Sequence, residues 1–318
     1  MTPALSALLF SVQLINGDIL KDLIAFLEKE NIKFAENESM KNHTSFKVGG
    51  NASVMIFPKS ETEVSSVVKE CSRLGIRLVS IGNGSNLLVS DKGIKAAVLC
   101  FSNDFSDVRL IDEEIVFAES GASLMKLCRF ALENSLSGLE FAFGIPGSCG
   151  GAAFMNAGAY GGEMKDVLYK CSHIDKSGNK GFLENDDMKL SYRHSAYYEN
   201  GSIITGIYLK LKKGSKEDIK AKMDDFLQRR KDKQPLEYPS AGSTFKRPEG
   251  YYAGALIEEC GLKGKSVGGA EVSTKHAGFV INKGNATCED ILHLCRICSE
   301  TVMKEKGVKL EMEIRVTE

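Results

Sequence analysis

No run of lysine or arginine in this 318-residue sequence is long enough to make a basic stripe, and the formal net charge is −1. That disfavours a nucleic-acid partner, whose phosphates call for clustered positive charge. No stretch is long and apolar enough to span a bilayer, so membrane insertion is not expected. The opening segment MTPALSALLFSVQLING is apolar, but it has no Lys or Arg ahead of the apolar run and no convincing small-residue cleavage site. Residues 1–16 therefore read as an N-terminal extension or helix and not as a signal peptide. Cysteine, at nine, is odd in number and scattered through apolar segments, which argues against a disulfide framework and for a reducing cytoplasm. Cys295 and Cys298 form a CxxC with no second CxxC to complete a metal site, and read as core thiols of a helix. Histidine is sparse; His194 and His276 have no carboxylate or second histidine at ligand spacing, so no metal is expected. Internal repeats and low-complexity tracts are also absent.

What the sequence does have is glycine in one concentrated stretch, GLEFAFGIPGSCGGAAFMNAGAYGGE, from Gly138 to Glu163. Gly144, Gly147, Gly150, Gly151, Gly158, Gly161 and Gly162 leave backbone N–H groups bare, while Ser148, Asn156, Tyr160 and Glu163 could orient a ligand. Chains accept this density of glycine where a flat or anionic group must come close, or where tight turns follow one another. The stretch reads as a ligand floor of loops and turns.

Upstream, an amphipathic helix is expected over about 18–31. A strand over 52–57, a helix over 61–74 and a strand over 77–81 then make a βαβ unit. After it comes Gly82-Asn83-Gly84-Ser85-Asn86-Leu87. A dinucleotide fingerprint fails here because Leu87 occupies the third glycine position; the alternative is a nest of N–H groups facing a phosphate, with Ser85 and Asn86 as added donors. Strands near Val98, Val108 and Val116 and a helix over 123–133 lead to the floor. Strands over 167–175 and 202–211 follow it. A long helix over 216–234 ends at Pro235, and a helix over 287–306 and a strand over 310–316 close the chain. Gly264-Lys265-Ser266 mimics the end of a P-loop, but Glu259 stands where its first glycine should be.

Arg193 in SYRHS, Ser243 in SAGST and Glu313 in LEMEIRV are polar residues at positions suited to chemistry. Each alone also fits an ordinary surface or capping role. Taken in order, GNGSNLLV, the glycine stretch, YRHS, PSAGSTFK, KHAGFVIN and LEMEIRV resemble the UDP-N-acetylenolpyruvoylglucosamine reductase family, over nearly the whole chain from about Ile32. The resemblance implies an α+β protein: a two-subdomain vanillyl-alcohol-oxidase/PCMH-type FAD-binding fold over 17–212, divided near 99, and an α+β substrate-binding domain over 213–318 whose last strand returns toward the cleft. It implies non-covalent FAD, with NADPH as hydride donor and UDP-N-acetylglucosamine enolpyruvate as the substrate reduced to UDP-N-acetylmuramate. By the same resemblance Arg193 and Glu313 polarise the substrate carboxylate and Ser243 delivers the proton. FAD falls to Asn42, Thr44, Ile81, Gly82, Asn83, Gly84, Ser85, Asn86, Leu87, Gly144, Ile145, Pro146, Gly147, Ser148, Gly151, Asn156, Ala157 and Gly206. Substrate falls to Tyr160, Lys246, Lys275 and His276.

Two departures stand out. The Arg193–Ile203 connection is too short for the tyrosine-bearing insertion of one branch of the family, and Arg247 replaces a common Asn. The rival expectation on the same fold is an FAD-dependent oxidase of small alcohols, for which His43 or Cys149 would be the candidate covalent flavin attachment sites.

Overall fold

The computed structural model describes residues 17–318, so the expected N-terminal extension lies outside the described residues. The first unit is a four-stranded sheet in the order Lys33–Ser39, Asn51–Phe57, Ile94–Cys100, Leu78–Ile81. The expected βαβ strands share this sheet without being neighbours, because Ile94–Cys100 runs parallel to both and separates them. That strand is apolar on both faces: Ala97 and Leu99 join one core, while Ala96, Val98 and Cys100 join another. Such a strand belongs in the middle of a covered sheet. The polar edge strand Lys33–Ser39 was not foreseen. Helix Glu61–Leu74 begins where Ser60 Oγ accepts from the Glu63 N–H at 3.2 Å and ends at Gly75, φ 67°.

The second unit is an antiparallel sheet in the order Lys180–Glu184, Leu168–Ile174, Ile203–Lys210, Ile115–Glu119, Val108–Leu110. Helices Leu124–Glu133 and Cys149–Met155 cover it, and Ile219 and Met223 of helix Lys216–Lys233 are buried in the same core.

The remaining chain forms a third core around helix Cys288–Lys306, the short helix Ala253–Glu259 and a small sheet of Ser266–Val267, Ala270–Val272 and Val280–Asn282. Phe46, Val48 and Leu88 from the first unit are buried in it. Of the expected terminal strand only Arg315–Thr317 is regular; it pairs in parallel with Leu87–Val89, so the chain ends against the nest turn.

Candidate active site

Strand Leu78–Ile81 stops at the nest, and residues 81–87 with 144–148 line one side of a cavity of about 430 Å³, a size typical of ligand sites. The two glycine stretches press against each other. A Cβ on Gly82 would stand 2.0 Å from Ser148 Oγ, and one on Gly84, at φ 59°, would stand 2.0 Å from the His43 carbonyl oxygen. Asn83 Nδ2 donates to the Pro146 carbonyl at 3.4 Å. The floor is not loop throughout: Cys149–Met155 is helical, with Ser148 Oγ accepting from the Gly151 N–H at 3.3 Å. Two glycines cost a helix about 1 kcal/mol each; burial of Cys149, Ala152 and Ala153 in the second core offsets that.

Side chains make up another part of the lining, which adjoins the first where Asn86 Nδ2 donates to the Glu313 carbonyl at 3.1 Å. Arg193, at φ 54°, sits in the tight turn closed by the Ser191–His194 bridge, and its Nε donates to Glu313 Oε1 at 2.7 Å. Burial pushes the Glu313 carboxyl up from its ordinary range, against the opposing pull of Arg193 and, more weakly, Lys246. Ser243 follows Gly242, φ 76°, and precedes the pinned Thr244. The Thr244 N–H donates to the Gly278 carbonyl at 2.9 Å, its Oγ1 accepts from the Val280 N–H at 2.9 Å, and its carbonyl accepts from the Glu313 N–H at 2.9 Å. The Ser243 and Glu313 segments are thus paired backbones, extended by Phe245–Met312 and by the Lys246 N–H on the Glu311 carbonyl at 2.8 Å. Ser243 is exposed to the cavity, and its hydroxyl makes no hydrogen bond among the described residues.

Two family descriptions match the chain: "FAD binding domain" over residues 52–179, and "UDP-N-acetylenolpyruvoylglucosamine reductase, C-terminal domain" over 234–317. The reductase of that name from Syntrophomonas wolfei is 48% identical over 295 residues, 93% of this chain and 98% of that one. The reductase from Caldanaerobacter subterraneus is 48% identical over 300 residues, 94% and 98% of the two chains. A crystal structure of the enzyme from Thermus caldophilus superposes with a TM-score of 0.77 at 34% identity, over 90% of this chain and 99% of that one. The chain belongs to the UDP-N-acetylenolpyruvoylglucosamine reductase family. It is an FAD-dependent oxidoreductase on the expected α+β architecture, and the alcohol-oxidase alternative is set aside. The residues expected to carry covalent flavin in that alternative are buried or paired. Cys149 is fully buried with its thiol pushed up by desolvation, and His43 Nε2 lies 2.8 Å from Glu38 Oε1.

The residues present fit a flavin dinucleotide of this family. A second cavity of about 320 Å³, lined by Asn42, His43 and Thr44, shares Gly82, Asn83 and Phe101 with the first, so the two cavities meet at the glycine turn. Gly151 and Ala157 also line the main cavity. Asn156 does not line it. It ends the short helix at φ 43° and uses its amide on Glu163 Oε2 at 2.7 Å, the Ser191 carbonyl at 3.0 Å and the Lys165 N–H at 2.9 Å, so it holds the floor to the Arg193 turn. Gly206 lies inside the second sheet, where a Cβ would come 2.5 Å from the Phe117 ring.

The four expected substrate contacts also lie outside the lining of the main cavity. Tyr160 stacks on Phe226 with centroids 4.7 Å apart, Lys246 lies 3.6 Å from Glu311, and Lys275 Nζ donates to the Lys231 carbonyl at 2.7 Å. His276 Nδ1 accepts from the Gly278 N–H at 3.0 Å. Arg247 lies on the Tyr252 ring, 4.0 Å from its centroid, and its N–H donates to Tyr192 Oη at 3.0 Å.

Sequence reasoning passed over Arg230, Gln234 and Arg315, which all line the cavity. Arg315, stacked 4.6 Å from the Phe154 ring centroid, had a signal in LEMEIRV, two residues beyond Glu313. Arg230 had none, because it sits in a run of charge that reads as a solvated face.

Proposed function

We propose that the chain reduces the enolpyruvyl group of UDP-N-acetylglucosamine enolpyruvate to UDP-N-acetylmuramate with hydride drawn from NADPH, and that Arg193, Ser243 and Glu313 carry the chemistry. The observation that carries this reading is one wall built from three distant segments. Arg193 and Glu313, 120 residues apart, form an ion pair, and Ser243 is fastened beside Glu313 through Thr244, in the same cavity lining as the two glycine stretches. FAD, when bound, supplies the two-electron link between NADPH and substrate. Residues 82–86, 144–148 and 151 would hold it, and the burial of Cys149 with the pairing of His43 to Glu38 supports non-covalent binding.

The rest is done by the chain's own side chains. When hydride reaches the terminal carbon of the substrate double bond, a C–H bond forms there and the π electrons move toward the carbon bearing the carboxylate. Arg193 meets the negative charge that grows on that carboxylate. Burial raises the Glu313 carboxyl against the pull of Arg193, so it takes up a proton at higher pH than an exposed glutamate does. The Ser243 hydroxyl then gives its proton to the carbon bearing the carboxylate, and solvent restores it. Serine is a weak acid, so the transfer depends on a strongly basic carbon acceptor.

Lys246 lies close enough to this wall to reach a substrate diphosphate by leaving Glu311, an exposed pair of small worth. Helix Lys216–Lys233 shares the second unit's core, so we draw the boundary of the substrate domain near Gln234. Among the described residues no helix is long and apolar enough to cross a membrane. Nine free thiols accord with a cytoplasmic enzyme, and the near-zero net charge accords with no nucleic-acid partner.

Ser243→Ala tests the assignment. NADPH should still bleach the bound flavin at a near-normal rate, while the enolpyruvyl substrate fails to restore its colour under anaerobic conditions. Normal recolouring would mean that another group supplies the proton.

A further inference from the structure

Among the described residues a single buried side-chain nitrogen or oxygen lacks any hydrogen-bond partner: Arg230 Nε. The residue is only 8% exposed, and no carboxylate lies within ion-pair distance of it among the described residues. One of its five N–H donors is used, Nη1 donating to Gln234 Oε1 at 3.0 Å; its guanidinium stands 5.9 Å from the Tyr160 ring centroid. The side chain lies along the floor, where a Cβ on Gly144 would come 3.4 Å from both its Cδ and its Nε. Desolvation weakens its hold on its proton, as expected for a cation kept dry with no counter-charge. Burial of this kind is costly unless an anion or a strong acceptor completes the site. Arg230 lines the main cavity, so the acceptor is one that the cavity receives.

Position narrows the choice. The phosphate nest meets the floor at its Gly147–Ser148 end, where a Cβ on Gly147 would lie 3.8 Å from Ser85 Oγ, whereas Arg230 meets the floor at Gly144. The substrate carboxylate has Arg193. What remains is the flavin ring. A hydride brings it two electrons and one proton, so a neutral flavin gains one negative charge, shared over N1 and the C2 carbonyl oxygen, and loses it again when the hydride departs to substrate. We propose that Arg230 faces the N1–C2 carbonyl edge of bound FAD and, by stabilising the charge that edge gains on reduction, raises the cofactor's reduction potential. This rests on the FAD reading above. It makes Arg230 a tuning residue, with a role separate from the Arg193–Glu313 pair.

The test compares wild-type, Arg230→Met and Arg230→Lys holoenzymes by dye-equilibrated midpoint potential and by the pH dependence of the reduced-flavin spectrum. In Arg230→Met, affinity for reduced relative to oxidised FAD should fall at least tenfold, which for a two-electron couple lowers the potential by about 30 mV. The anionic reduced spectrum should also set in at higher pH. Arg230→Lys should shift in the same direction by less, since it keeps charge without the fork. A potential and reduced spectrum unchanged in Arg230→Met overturn the proposal, and so does a variant whose only change is a higher KM for NADPH. If Arg230→Met cannot retain FAD, the lysine variant decides, and an unchanged potential there overturns it equally. Wild-type protein that cannot be loaded with FAD would instead sink the cofactor reading itself.

Discussion

One wall of the cavity, residues 82–86 with 144–148, is glycine-rich backbone; a second, joined to it through Asn86 and Glu313, presents the side chains of Arg193, Ser243 and Glu313. The two are held by different forces. The backbone wall exists because glycine permits packing so close that an added Cβ would stand 2.0 Å from its neighbour, and it carries no group that titrates. The side-chain wall exists because three segments far apart in sequence dock on one another, and it holds the Arg193–Glu313 pair, whose carboxyl is raised by burial. Damage to the first should act on cofactor retention and damage to the second on chemistry.

The strongest way to break that division is Arg193→Met. The residue already sits at a positive φ without being glycine, so the substitution adds no new backbone strain. Loss of one preorganised charge should lower kcat by roughly 10²–10³-fold, with FAD content unchanged. A parallel loss of flavin would show that the two walls are not separable. Next in size is Gly84→Ala. A left-handed residue costs about 1–2 kcal/mol, and the clash with the His43 carbonyl forces the nest itself to move. FAD affinity should drop about tenfold or more, since each 1.4 kcal/mol is a factor of ten, as read by the flavin-to-protein ratio after dilution. Gly161→Ala sharpens the contrast. Its φ is 86°, but nothing lies within 4 Å of the added Cβ, so it should lose stability without losing flavin.

The backbone wall was legible in the sequence because glycine's consequences are local. GNGSN between an apolar strand and Leu87, and the crowded glycines after Gly144, announce bare backbone whatever the rest of the chain does. The helix Cys149–Met155 within that stretch was not legible. CGGAAFM has poor intrinsic helicity, and only the second core, which takes up Cys149, Ala152 and Ala153, makes it fold so. The side-chain wall was legible only as motifs in a known order, since nothing local brings Glu313 to Arg193. Arg230 shows the same limit from the other side. In KEDIKAKMDDFLQRRKDK one arginine among many reads as solvated, and its burial against Gly144 is a fact of tertiary packing alone. Lys275 shows tertiary packing in the reverse direction: a lysine expected at a phosphate donates to the carbonyl of Lys231 near the end of a helix, a partner that nothing in the local sequence names.

A smaller effect probes how the walls are kept in register. Asp91, beyond the nest strand, accepts from the N–H groups of Cys288 at 2.9 Å and Glu289 at 3.3 Å, and so caps a helix of the third core from outside it. Asp91→Ala should cost about 1 kcal/mol, the usual worth of a cap, in a denaturant melt of the holoenzyme. A loss of kcat beyond the loss of stability would mean that this cap also aligns Ser243 and Glu313 with the floor.

The smallest expected effect is a pH slope, in which buried histidines outside both walls act with the opposite sign to the side-chain wall. Burial pushes the His276 imidazole below its ordinary value near 6.5, and its Nδ1 accepts from the Gly278 N–H, a bond that the protonated ring cannot make at that nitrogen. The folded state therefore binds fewer protons there than the unfolded one. The stability this contributes is complete above the unfolded value and is lost as pH falls from about 7 toward 5.5. His173, buried beside Tyr197, acts in the same direction. Glu313 acts in the opposite one: its carboxyl is raised, so the folded state holds the extra proton and stability falls as pH rises above 4.5. His276→Asn keeps an acceptor for Gly278 and removes the titration. The decline in melting temperature between pH 7 and 5.5 should be shallower in this variant than in the wild type, and an identical slope would assign the acid sensitivity to His173 and the rest of the chain.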